Sequence, residues 1–175
     1  MNSKSPEQDI GERGLREALQ RLRDHLDSPG DPLVPFAEAL AWAYALEEWH
    51  RQRLGGSTYF ACRNASADGQ VTAGVMYARG LTTHRLAIVG SLVTFPSRSF
   101  RMGGGGRRGG GVTIISGGGS VWQWRRFNEL PSPSKPEQHN RDVSYQHHVQ
   151  NQPLLVPLQA AERFLSMEIA RHSGI

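Results

Sequence analysis

The chain has 175 residues, with 20 Lys and Arg against 16 Asp and Glu for a formal net charge of +4. That length can bury a core without cross-links, and the one cysteine, Cys62, excludes an intrachain disulfide and a thiolate zinc site. No apolar run reaches the roughly 20 residues of a membrane span, and the polar opening MNSKSPEQDIGERG lacks a secretory signal's apolar core, so no membrane contact and a cytoplasmic location are expected.

Residues 1–10 read as a disordered polar tail, followed by a single domain over 11–175. From Glu12 to Leu26 the leucines fall at 15, 19, 22 and 26, which predicts an amphipathic helix. Breakers at Pro29, Gly30 and Pro32 end it. A second helix is expected from about Pro35 to Leu54, where Trp42, Tyr44 and Trp49 widen the apolar face almost all round. Tyr59 to Cys62 fits a short turn or a strand, and Arg63 to Gly69 reads as a loop.

Asp68 to Phe95 reads as a long, mostly buried helix. Val71, Val75, Ala78, Thr82, Leu86, Val89 and Val93 recur at steps of three and four. Asp68 suits an N-cap, and Pro96 marks the stop. Gly80, costly inside a helix, points to a close backbone approach.

Gly103–Gly119 holds 10 of the 20 glycines, and its first part, 103–111, reads as a mobile loop around Arg107 and Arg108. Residues 112–127 then read as a β-hairpin, Val112–Ser116 pairing with Ser120–Phe127 around Gly117–Gly119. In its second strand Trp122, Trp124 and Arg126 share one face, which suits either stacking on bases or packing over helices. Helices around Asp142–Gln150 and Leu155–His172 complete the chain after a proline-rich linker. The expected fold class is mainly α: a bundle of about five helices with an inserted β-hairpin and a Gly-rich loop.

Charge is unevenly placed. Between Asp68 and Glu129 there is no acidic residue, while Arg79, Arg85, Arg98, Arg101, Arg107, Arg108, Arg125 and Arg126 all lie there. Such an interval is the footprint of a surface that meets phosphate. Arg85, Arg98, Arg101, Arg107, Arg108, Arg125 and Arg126, with Trp122 and Trp124, are therefore the candidate nucleic-acid contacts.

Arg79-Gly80-Leu81-Thr82-Thr83-His84 sets an arginine and a histidine with four residues between them. Here the sequence resembles the HEPN superfamily, small helical bundles of which many are metal-independent ribonucleases of toxin and defence systems. The resemblance implies a homodimer with a composite site and no cofactor or metal. His84 would act as general base on a ribose 2′-hydroxyl, and Arg79 would stabilise charge on the scissile phosphate. Two features depart from that pattern. Gly80 stands where the family usually has a polar residue, and five helical positions set the two side chains about 140° apart. The plain alternative is that Arg79 and His84 are satisfied polar groups on a half-buried helix.

His139, His147 and His148 lack metalloprotease spacing, and Glu47, Glu48 and His50 read as solvated charges near a helix end. Two functions of different kind follow. One is an RNA- or other nucleic-acid-binding protein, with endoribonuclease activity at Arg79 and His84. The other is a non-catalytic regulatory bundle, antitoxin-like, whose arginines meet an acidic protein partner.

Overall fold

Ser5 starts the first helix. Its side chain accepts the Gln8 backbone N–H at 3.2 Å, Pro6 occupies the first turn, and Glu7 and Asp9 complement the helix dipole. The computed structural model describes residues 5–27, 31–85, 89–95, 98–102, 112–116, 119–132 and 140–167. Among these the protein is mainly α, with helices α1 (Pro6–Leu26), α2 (Leu33–Leu54), α3 (Gly56–Ala65), α4 (Ala67–Arg85), α5 (Arg141–His148) and α6 (Leu155–Ser166). Strands β1 (Gly90–Phe95), β2 (Arg98–Met102), β3 (Val112–Ser116) and β4 (Gly119–Trp124) form the inserted hairpin. Helix α1 begins within the stretch read as a tail, and its Gln8 is buried.

Helices α1 and α2 cross closely because Gly11 and Gly14 leave room. Leu46 and Trp42 side-chain atoms lie 2.7 and 2.5 Å from where a Cβ would stand at those positions. Helix α4 is the hub, packed against α2, α3, α5 and α6. Its start is capped by Ser66, whose Oγ accepts the Gly69 N–H at 3.0 Å, rather than by Asp68. Asp68 holds Arg163 of α6 instead, accepting at 2.9 and 2.8 Å from the guanidinium. The close approach on α4 is at Gly74, where a Cβ would meet Val149 Cγ2 at 2.6 Å and the Tyr145 backbone at 2.9 Å. At Gly80 it would meet nothing within 4 Å.

Further expectations need correction. Helix α4 spans Ala67–Arg85, and Gly90–Phe95 is a strand; a largely apolar run satisfies either period, and pairing with β4 decides it. Tyr59–Cys62 lies within helix α3, which also takes in Arg63–Ala65 of the stretch read as a loop. Strands β3 and β4 do not pair with each other: β1 pairs with β4 and β2 with β3. Phe95↔Gly119 is followed, three residues along each arm, by Arg98↔Ser116, so the second ladder keeps the register of the first. Gly119 is thus a strand residue, not part of a turn. The Gly103–Gly111 loop, with Arg107 and Arg108, lies outside the described residues.

Candidate nucleic-acid interface

The root of the hairpin is sunk in the core. Trp124 is 1 % exposed, donates its indole N–H to the Leu154 carbonyl at 3.1 Å, and meets Phe36 edge-on at 4.9 Å. Trp122 is half-buried against the same core and accepts the Leu154 N–H on its carbonyl at 3.1 Å. Residues 151–154 thereby close the edge of β4 that β1 leaves open, with Trp124 donating to Gln152 O and accepting from Asn151 N. Of the two readings of this tryptophan face, packing holds for Trp124, whose enclosed ring offers nothing for a base to stack on.

Arg125 and Arg126 follow directly. Arg125 donates its backbone N–H to Val89 O at 2.8 Å, and its carbonyl accepts the Tyr145 hydroxyl at 2.6 Å. Burial raises the pKa of that hydroxyl, which keeps it a donor. Arg126 is exposed. Arg98 and Arg101 belong to β2, opposite Ser116 and Thr113. Their side chains, and those of His84 and Arg85 in the last turn of α4, lie outside the described residues.

Arg79 is half-buried, with its guanidinium carbon 3.5 Å from the ring centroid of Tyr44 on α2. That cation–π contact holds the guanidinium over the ring while its N–H groups can still donate to other acceptors. Among the described residues no carboxylate pairs with it.

The structure also assembles a polar cluster that sequence reasoning treated as solvated charge. Glu47 is fully buried. Its Oε1 accepts from Arg63 Nη1 at 2.9 Å and from the Tyr59 hydroxyl at 3.4 Å, while Oε2 accepts from Arg141 Nη2 at 3.3 Å. His50, 1 % exposed, holds the Leu165 carbonyl through Nε2 at 2.8 Å. Burial keeps its imidazole below the usual 6.5; Arg53 acts the same way, and the Leu165 hydrogen bond and Glu12 oppose. Burial likewise raises the Tyr59 pKa, helped by the Glu47 charge. The signal for this cluster was spacing: Phe36, Leu40, Ala43, Glu47 and His50 continue one stripe at steps of four and three. The cluster ties α2 to α3, α5 and α6, and its buried groups bonded to one another suit a structural role.

Comparison with protein-family models, with curated proteins and with solved structures gives no match. Among the described residues no helix is long and apolar enough to cross a membrane.

Proposed function

We propose that this protein binds RNA or another nucleic acid through the acid-free hairpin and its root. The observation that carries the reading is the pairing of β1–β4 and β2–β3 in one register, which makes an antiparallel ribbon of a chain interval whose charges are all positive. A two-stranded ribbon is narrow enough to enter a groove or lie along a strand, and its arginines gain from released counterions.

The test is fluorescence anisotropy of labelled single-stranded RNA over a salt series. Each phosphate neutralised adds about −0.7 to the slope of log affinity against log salt, so Arg98→Ala with Arg101→Ala should flatten it by about 1.4. A wild-type slope near zero overturns the reading.

Cleavage is the narrower form of this proposal. Arg79 would hold the scissile phosphate and His84 would take the 2′-hydroxyl proton, as in HEPN ribonucleases. What supports it is an Arg79 guanidinium oriented by Tyr44 and unclaimed by any carboxylate among the described residues. The second reading is a regulatory bundle with an acidic protein partner. It is favoured by the withdrawal of Trp124 into the core, which leaves arginine charge without that stacking ring. Poly-glutamate competing as well as RNA, at equal charge, would favour it.

A further inference from the structure

Tyr44, Glu48 and Arg51 stand at steps of four and three on α2, so they share one face of that helix. Arg79 of α4 lies over Tyr44 at 3.5 Å, and Arg51 lies over Phe60 of α3 at 5.4 Å. All five side chains are half-buried. Two guanidiniums thus stand within cation–π reach of aromatic rings where α2 meets α4 and α3. Tyr44 and Arg51 stand seven residues apart on α2, a rise of about 10 Å.

Between them sits one carboxylate. Glu48 accepts from Arg51 Nη1 at 2.8 Å and from Gln52 Nε2 at 3.3 Å. It holds Arg51 through that single N–H, with a third of each side chain still exposed (34 % and 34 %). A partly solvated i,i+3 pair of this kind is worth little, so it yields readily to a stronger acceptor.

We infer that Arg79 and Arg51 form a two-point phosphodiester strip on the helical core, and that Glu48 is its internal competitor. The strip rests on the nucleic-acid reading and adds a contact away from the hairpin. Aromatic backing pre-orients both guanidiniums, so little rotamer freedom is lost when two phosphates of one strand bridge them. Binding exchanges the Glu48–Arg51 bond for Arg51–phosphate and releases the carboxylate to water. Arg53 supplies an internal control. It lies over Trp49 at 5.2 Å, but Trp49 and Arg53 fall on the opposite side of α2 from Tyr44.

The experiment titrates full-length protein against one labelled single-stranded RNA, with the Arg98→Ala/Arg101→Ala variant measured in parallel. Arg51→Ala and Arg79→Ala should each weaken binding roughly tenfold, the worth of one hydrogen-bonded charge contact. Each should also flatten the salt slope by about 0.7. Glu48→Gln should strengthen binding several-fold, a gain that damage to the fold could not produce. Arg53→Ala should leave affinity unchanged. If the hairpin variant loses affinity while Arg51→Ala, Arg79→Ala and Glu48→Gln bind like wild type, the strip is refuted and the hairpin reading stands. Equal losses from Arg53→Ala and Arg51→Ala also refute it, as nonspecific charge. Wild-type protein that binds no nucleic acid overturns both.

Discussion

Arg63 and Glu47 form an ion pair from which solvent is excluded, Nη1 to Oε1 at 2.9 Å with both side chains 0 % exposed. Burial lowers the Arg63 pKa while the Glu47 carboxylate opposes that shift, so each charge depends on the other. Removing one partner strands the other in the core. Arg63→Met should therefore cost about 3–5 kcal/mol, whereas Arg63→Met with Glu47→Leu should recover much of that loss. Arg141, partly exposed, can then turn its guanidinium to water. Urea unfolding of the three proteins reads the outcome, and a double variant less stable than the single one contradicts the account.

The His50 imidazole gives the fold an acid-sensitive component. Its folded pKa lies below 6.5, so above that value the neutral ring is bound at no titration cost in either state. As pH falls below 6.5 the unfolded chain takes up a proton that the folded protein resists, and stability drops. The drop ends once pH passes the folded value. Wild-type protein should lose more melting temperature between about pH 8 and pH 5.5 than His50→Gln does. Parallel pH profiles for the two proteins would remove His50 from the explanation.

Two alanine substitutions on one helix should act in opposite directions. Gly74→Ala places a methyl against the Tyr145 backbone, which cannot yield as a flexible side chain would. It should push α5 from α4 and cost about 1–3 kcal/mol. Gly80→Ala meets open space inside the same helix and should gain about 1 kcal/mol in helix propensity. Thermal melts decide it. A destabilising Gly80→Ala would mean that some contact needs the bare backbone there.

Cleavage has its own signature. If His84 is a general base, His84→Ala should slow RNA digestion by roughly 10²–10⁴-fold. Arg79→Ala should cost a comparable factor and the double variant little more, because residues acting as a unit are not additive. Digestion should persist in excess chelator. A wild-type preparation that leaves labelled RNA intact removes the enzymatic form of the proposal and leaves binding to be judged separately.

Local pattern was enough where helices carry a clean apolar stripe, as in α1 and α6, and α2 was legible from a broad apolar face bounded by Pro32 and Gly55. It failed at β1, because LAIVGSLVTF satisfies both periods and only the distant β4 selects the strand. The glycine triplet at 117–119 looked like a turn, yet the register is set by partners on the far arm of the hairpin. Helix α3 was hidden because GSTYFACRNA has weak helix formers, while its Tyr59 and Arg63 are anchored by Glu47 from another helix. Glu47 and His50 were misread for the opposite reason. Their chemical type suggested water, whereas their place in the stripe at 36, 40, 43 and 47 indicated the core.

The closure of β4 by residues 151–154 bears on how the chain is made. Leu154, which receives the Trp124 indole N–H, follows it by 30 residues. A nascent chain therefore completes the hairpin while the largest side chain at its root is still wet and one edge of β4 is unpaired. Exposed tryptophan and an open strand edge invite association with other chains. Translation products truncated between Trp124 and Leu154 should aggregate during synthesis, and those reaching past α6 should not.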